Sequence, residues 1–239
     1  MNIALIIAGG SGQRMQQDIP KQFLNVYDKP VIVYTMEAFE AHPEIDVISV
    51  VCINGWENIL EAYAKQFNIR KLKHIISGGE TGQASIRNGV FELEKKYASD
   101  DIVLIHDAIR PMVSQEIISD CIVKTKQYGS AIVTIPCAEA MLETSDQISS
   151  NSSYQRDKLK RTQTPQAFRI GKICEIHRRA IEKGITNSIA SCTLMIEMGE
   201  TVYFSCGSEK NIKLTTVEDI DIFKALLKAG RSEWLKEQK

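Results

Sequence analysis

The chain has almost no net charge: 29 Lys+Arg against 30 Asp+Glu leave −1 at pH 7. That balance removes any global electrostatic case for a nucleic-acid or membrane partner. No apolar run reaches the roughly 18 residues that a membrane-spanning helix needs. A basic leader is also lacking. Met1-Asn2-Ile3-Ala4-Leu5-Ile6-Ile7-Ala8 runs straight into glycines, as a first strand does and a secretory signal does not. The six cysteines, Cys52, Cys121, Cys137, Cys174, Cys192 and Cys206, form no C-x-x-C pair. Their expected state is reduced, buried thiols in a cytoplasmic protein. No glycine loop ends in Gly-Lys-Ser/Thr, so there is no Walker A phosphate loop.

What is present is ordinary globular material, 44% hydrophobic and 25% charged over 239 residues, enough for one large domain. Short apolar blocks alternate with helical periodicity. Strands are expected at Ile3–Ala8, Val47–Ile53, His74–Ile76, Ile102–His106, Ala131–Pro136 and Val202–Cys206. Helices are expected at Val31–Ala41, Trp56–Phe67, Gln83–Lys96, Gln115–Tyr128, Lys172–Lys183, Ala190–Gly199 and Val217–Lys228. The near-continuous apolar strands Ile3–Ala8 and Ile102–His106 fit the centre of a parallel sheet covered on both faces. The fold class is therefore α/β, a Rossmann-like, mostly parallel sheet with helices on both faces. Its ligands are expected beyond the carboxyl ends of the strands. One polar, turn-rich segment, 137–160, breaks the rhythm and reads either as a surface loop or as a protruding β-arm. The arm's limbs would be Ala140–Glu143 and Tyr154–Lys160. Residues 1–230 form the domain, and 231–239 a polar tail.

The strongest local signal follows the first strand: Ala8-Gly9-Gly10-Ser11-Gly12-Gln13-Arg14-Met15. Glycines there allow tight turning and leave N–H groups for phosphate oxygens. The third glycine of a dinucleotide fingerprint is absent, and Arg14 places a cation in the loop instead. A second cation follows in Pro20-Lys21-Gln22-Phe23. Two cations beside one phosphate site suit phosphoryl transfer, where catalysis is mostly positioning and charge stabilisation. His106-Asp107-Ala108-Ile109-Arg110-Pro111 ends a central strand. Asp107 there could hold Mg²⁺, a hard cation that prefers oxygen ligands, or could simply pair with Arg110 across a turn. His106 reads as a packed histidine rather than a base. Gly78-Gly79-Glu80-Thr81-Gly82-Gln83-Ala84-Ser85 opens a helix whose N-terminus offers donors. Thr162-Gln163-Thr164-Pro165-Gln166-Ala167-Phe168 follows a basic stretch, and Asn211-Ile212-Lys213-Leu214-Thr215-Thr216 precedes Glu218-Asp219. Thr216 and Asp219 form a capping-box variant that fixes the last helix just after Lys213.

Taken in chain order, these six motifs, from residue 2 to about 228, resemble the cytidylyltransferases that act on methylerythritol 4-phosphate or ribitol 5-phosphate. The resemblance implies a single nucleotidyltransferase domain and a set of roles. Ala8, Gly9, Gly10, Ser11 and Gly12, with Gly79, Glu80, Ser85 and Ala108, would hold CTP. Arg14, Lys21 and Lys213 would stabilise charge on the α-phosphate, and Asp107 would bind Mg²⁺. Arg110, Arg156 and Thr164 would bind the acceptor. Arg156 would do so across the interface of a homodimer built through the 137–160 arm. The chain departs from the methylerythritol branch at Glu139-Ala140 and at Ile189-Ala190-Ser191, where the family's acidic residues are missing.

The expected activity is transfer of CMP from CTP to an alditol phosphate with release of pyrophosphate. Ribitol 5-phosphate is the leading acceptor and methylerythritol 4-phosphate the alternative. A nicotinamide-dependent oxidoreductase is opposed by the incomplete fingerprint and by Arg14. A non-catalytic interaction protein is the remaining different class.

Overall fold

In the computed structural model, which describes residues 1–10 and 19–236, the chain alternates strands and helices as its apolar pattern dictates. In order they are β1 (Asn2–Ala8), a 3₁₀ turn at Lys21–Phe23, β2 (Asn25–Val26), β3 (Lys29–Pro30), α1 (Val31–Glu40), β4 (Val47–Cys52), α2 (Glu57–Gln66), β5 (Leu72–Ser77), α3 (Gly82–Glu94), β6 (Ile102–Asp107) and α4 (Gln115–Tyr128). There follow β7 (Ser130–Pro136), β8 (Met141–Glu143), β9 (Ser152–Tyr154), a 3₁₀ turn at Arg156–Lys158, β10 (Lys160–Arg169), α5 (Ile170–Glu182), α6 (Ser191–Glu197), β11 (Phe204–Cys206) and α7 (Val217–Lys236). Seven strands form one sheet in the order β11-β7-β10-β6-β1-β4-β5. β10 runs antiparallel to both of its neighbours, and every other pairing in that sheet is parallel.

Side-chain alternation along β1 builds the two layers. Ala4, Ile6 and Ala8 enter one core with Ile32, Val33 and Phe39 of α1, Leu60 of α2 and Ile118 of α4. Ile3 and Leu5 enter the other with Val90 and Leu93 of α3, Ile173 and Ile176 of α5 and Leu194 of α6. Helices therefore cover both faces, as strands apolar on both sides require. A third cluster, Val26, Val31, Ile109, Leu214 and Phe223, docks α7 beside the segment after β6.

Local chemistry sets the helix ends. Ser114 caps α4 by accepting from the Ile117 N–H (3.3 Å), and Gly129 closes that helix at φ 86°, the left-handed conformation that glycine adopts without a Cβ penalty. At α7 the expected reciprocal box is present. The Thr216 N–H donates to Asp219 Oδ2 (2.8 Å), and the Asp219 N–H to Thr216 Oγ1 (3.4 Å).

Four expectations need correcting. Lys160–Arg169 is a strand, although Pro165 hid it; the ladder to β7 shifts register between Thr162 and Gln166, which is where a sheet tolerates a residue without an N–H. The arm is a hairpin, but its second limb is Ser152–Tyr154 rather than Tyr154–Lys160, whose Arg156–Lys158 portion is a 3₁₀ turn. The last strand begins at Phe204, not Val202. The last helix runs past Lys228 to Lys236 through Gly230; one glycine costs a helix only about 1 kcal/mol. Of the cysteines, all are free and only Cys206 is exposed.

Candidate functional site

The parallel strands end along one edge of the sheet, and β10, running the other way, delivers its start to that same edge. Ile7 of β1 pairs with Asp107 of β6. Asp107 Oδ2 meets Lys213 Nζ at 3.0 Å and Arg110 Nε at 3.3 Å. The Asp107–Arg110 turn pair thus exists, and Lys213 joins it from 106 positions further along the chain. Burial opposes ionisation of Asp107, but the Lys213 ammonium and the Arg110 guanidinium outweigh it and hold the carboxyl below its usual range. Among the described residues both cations contact the same oxygen, Oδ2. Burial pushes Arg110 the other way, lowering its pKa.

His106 is fully buried and stacks edge-on against Phe39. Its Nε2 lies 3.1 Å from the Arg110 carbonyl oxygen, which can only accept, so Nε2 carries the proton. The neutral ring then offers Nδ1 as an acceptor to the Thr164 hydroxyl (3.1 Å). Thr164 Oγ1 itself accepts from the Asp107 N–H at 3.0 Å. Burial holds the His106 pKa down at about 4, so this histidine positions Thr164 and Asp107 rather than moving protons near neutrality.

A cleft of about 280 Å³ opens over this group. Asp107, Arg110 and Lys213 form its charged side; Thr162, Gln163, Thr164, Gln166 and Ser191 supply neutral polar groups. The segment Ile189-Ala190-Ser191, where acidic residues were missed in the sequence, forms part of its wall. Gln83 and Gln166 hold that wall in place. Gln83 accepts from the Ser188 N–H (2.7 Å) and donates to the Ile185 carbonyl (2.8 Å), and Gln166 accepts from the Cys192 N–H (2.9 Å).

The glycine turn after β1 meets the loop before α3. A Cβ on Gly9 would lie 2.8 Å from Ser85 Oγ and force that side chain to shift, and one on Gly78 would lie 3.2 Å from Gly9 Cα and press the two turns apart by a few tenths of an ångström. Ser85 is buried and accepts from the Gly79 N–H at 3.0 Å. Thr81 caps α3 through the Ala84 N–H (3.1 Å), and Glu80 is exposed beside it. Ala108 is buried, its N–H donating to the Ile7 carbonyl and its carbonyl accepting from the Thr35 hydroxyl.

The structure thus brings Ala8, Gly9, Gly10, Gly79, Glu80, Ser85, Ala108, Asp107, Arg110, Thr164 and Lys213 to one edge. Lys21 sits in the 3₁₀ turn whose next residue is tied to that edge through Ala8 and Gly10. Ser11, Gly12 and Arg14 lie outside the described residues. Arg156 shares no contact with the Asp107 group. It is exposed in the arm, with Nη1 donating to the Ala138 carbonyl (3.1 Å).

Two residues were missed. Buried Gln22 donates both amide hydrogens, to the Ala8 carbonyl (2.8 Å) and the Gly10 carbonyl (3.0 Å), fastening the Lys21 turn to the glycine turn. Buried Asn211 ties the Lys213 segment to β10. Both lay inside motifs, but hydrogen bonds to backbone leave no pattern of charge or periodicity to find.

The open α/β sheet, with a glycine turn and a cation-lined cleft at its carboxyl edge, has the architecture of a nucleotidyltransferase. Within that class, the chain belongs to the 2-C-methyl-D-erythritol 4-phosphate cytidylyltransferase (IspD) family, whose model matches residues 2–229. It is 43% identical over 230 residues to the ribitol-5-phosphate cytidylyltransferase of Lacticaseibacillus paracasei, covering 95% of this chain and 98% of that one. With the ribitol-5-phosphate cytidylyltransferase of Vibrio parahaemolyticus it shares 42% over 228 residues, 95% and 96% of the two chains. Among solved structures, the 2-C-methyl-D-erythritol 4-phosphate cytidylyltransferase of Francisella tularensis superimposes with a TM-score of 0.77 at 27% identity, over 93% of this chain and 98% of that one.

Proposed function

We propose that this protein transfers CMP from CTP to the phosphate of an alditol phosphate, with ribitol 5-phosphate the first acceptor to be named. The observation that carries it is the charge cluster Asp107–Arg110–Lys213 in a cleft beside the glycine turn. That arrangement suits two phosphate-bearing substrates brought face to face. The ribitol reading rests on relatives at 42–43% identity across nearly the whole chain. The methylerythritol acceptor is the second reading, favoured by the family description and by a structural neighbour at 27% identity.

An oxygen of the acceptor phosphate attacks the α-phosphorus of CTP. A new P–O bond forms, the bond to the β-phosphate breaks, and its electron pair leaves on pyrophosphate. No base is required, because a phosphate monoester with a second pKa of about 6 is already largely dianionic at neutral pH. The task left to the protein is to offset repulsion between two anions. Lys213 and Arg110 stand at the cleft for that work, with Lys21 and Arg14 assigned to the α-phosphate side. A divalent cation fits Asp107: its carboxylate is ionised, is a hard oxygen donor, and keeps both described cation contacts on one oxygen. Mg²⁺ is commonly held by one or two carboxylates plus substrate phosphates, and when bound it neutralises phosphate charge.

The arm at 137–160 is assigned to a homodimer. Leu142 is 65% and Ile148 91% exposed on a hairpin of two three-residue strands, which is marginal without a partner surface. Arg156 would then reach the acceptor site of the second copy. A cytoplasmic location accords with the free thiols, and among the described residues no helix is long and apolar enough to cross a membrane.

The test is pyrophosphate release from CTP with Mg²⁺, screened against ribitol 5-phosphate, methylerythritol 4-phosphate, glycerol phosphate and other pentitol phosphates. Release with ribitol 5-phosphate above the others supports the reading. Release with methylerythritol 4-phosphate alone moves the assignment to the second acceptor, and no release with any refutes cytidylyl transfer to these acceptors.

A further inference from the structure

The segment that carries Lys213 is held at two points. After Lys213, the Leu214 N–H donates to the Ile109 carbonyl (2.9 Å). Before it stands Asn211, with no exposed surface. Its side-chain amide donates to the Thr164 carbonyl (2.9 Å) and to Gln163 Oε1 (3.2 Å). Its backbone carbonyl accepts from Arg110 Nη1 at 2.7 Å. One residue therefore touches the start of β10, the segment after β6 and the Lys213 segment. Asn211 Oδ1 has no partner among the described residues, and an unsatisfied buried acceptor is costly. An apolar residue would avoid that cost but would lose the two donor bonds.

We infer that Asn211 is a positioning residue for the charge cluster, holding Lys213 and Arg110 on Asp107 while touching no substrate itself. The inference rests on the proposed cytidylyl transfer for its kinetic consequence, and on geometry alone for its structural one. The Lys213 side chain is 42% exposed and has four flexible torsions, so the backbone anchors set where that side chain starts and the ion pair with Asp107 sets where its ammonium rests. Displacements on the order of 1 Å in such groups cost on the order of 10²-fold in rate.

Two measurements test it. The first needs no substrate: limiting acetylation of lysine amines followed by mass spectrometry. In Asn211→Ala, Lys213 should be modified severalfold faster than in the parent protein, with lysines remote from the site, such as Lys65 and Lys126, unchanged. An unchanged Lys213 rate, or a rise shared by all lysines, overturns the proposal. The second is a kinetic cycle with Lys213→Ala. Asn211→Ala alone should lower kcat by roughly tenfold or more with little change in the KM for CTP, and should lower it less than about twofold further when Lys213 is already alanine. Equal losses in both backgrounds would show that Asn211 does not act through Lys213. If Asn211→Ala does not fold, Asn211→Ser takes its place in both measurements. Inactivity of the parent protein with every acceptor would refute the transfer reading, while the acetylation result would still decide the role of Asn211.

Discussion

The buried histidine His177 makes stability depend on pH in a calculable way. It lies on α5, 1% exposed, edge-on to Phe91 of α3 at a ring separation of 6.3 Å. Neither ring nitrogen has a hydrogen-bond partner among the described residues. Burial, and then the nearby Arg87 cation, push its pKa down to about 4. Above pH ~6.5, the unfolded value, both states are neutral and the group contributes nothing. As pH falls from 6.5 to about 4, the unfolded chain takes up a proton that the fold excludes, so stability falls. At about 1.36 kcal/mol per unit of pKa difference, the loss at pH 5.0 relative to pH 7.5 is roughly 2 kcal/mol. His177→Phe keeps an aromatic ring against Phe91 and removes the titration. Urea unfolding of both proteins at pH 7.5 and pH 5.0 separates the proton effect from any packing cost, because packing is common to both pH values. The variant should lose about 2 kcal/mol less than the parent between the two conditions. His106 titrates in both proteins and cancels. Equal losses in the two proteins would refute the reasoning.

Three further outcomes concern the site. Lys21→Ala should lower kcat by about 10²-fold while the KM for CTP changes much less, as expected of a group that acts on transition-state charge; a raised KM alone would remove Lys21 from that role. Arg156→Ala should raise the acceptor KM about tenfold, the worth of one charged hydrogen bond. Mixing Arg156→Ala with Lys21→Ala subunits should restore activity if Arg156 serves the neighbouring copy, and titration of one into the other reads this directly. Ala190→Asp should raise Tm by about 2–4 °C, because α6 starts at an extended Ala190 with no side-chain cap and a capping carboxylate contributes about 1 kcal/mol; differential scanning calorimetry measures it.

How much of this was legible beforehand varied with the kind of signal. β1 and β6 announced themselves because central parallel strands are apolar on both faces, as Ile3–Ile7 and Ile102–Ile105 are. The α7 start was readable because the Thr216–Asp219 box is a spacing of side chains. Asp107 was readable because it follows an apolar strand whose end must lie at the ligand edge. β10 was not, since Pro165 and a register shift break the alternation by which strands are recognised. Nor was the pairing of Asp107 with Lys213, which depends on where a segment 106 positions later returns. Gln22, Asn211 and the proton direction of Thr164 were invisible for another reason. Their partners are mostly main-chain atoms, one amide side chain and a ring tautomer, and none of these is announced by charge or periodicity in the sequence.

The missing acids at Ile189-Ala190-Ser191 acquire a physical sense from the cluster they face. Lys213 and Arg110 share the single carboxylate Asp107, which leaves the described group at 2 − 1 = +1 before any substrate arrives. A carboxylate at position 190 would stand in the wall of the same cleft and compete with an acceptor phosphate for those cations. On the proposed reading, a neutral wall of Thr162, Gln163, Gln166 and Ser191 would leave the positive charge for the phosphate and would offer uncharged donors and acceptors to the polyol chain. The same arithmetic fixes the sign of an acceptor effect in Ala190→Asp. Its added charge should weaken acceptor binding and leave the CTP KM nearly unchanged. Stability would thus rise at the α6 cap while acceptor affinity falls.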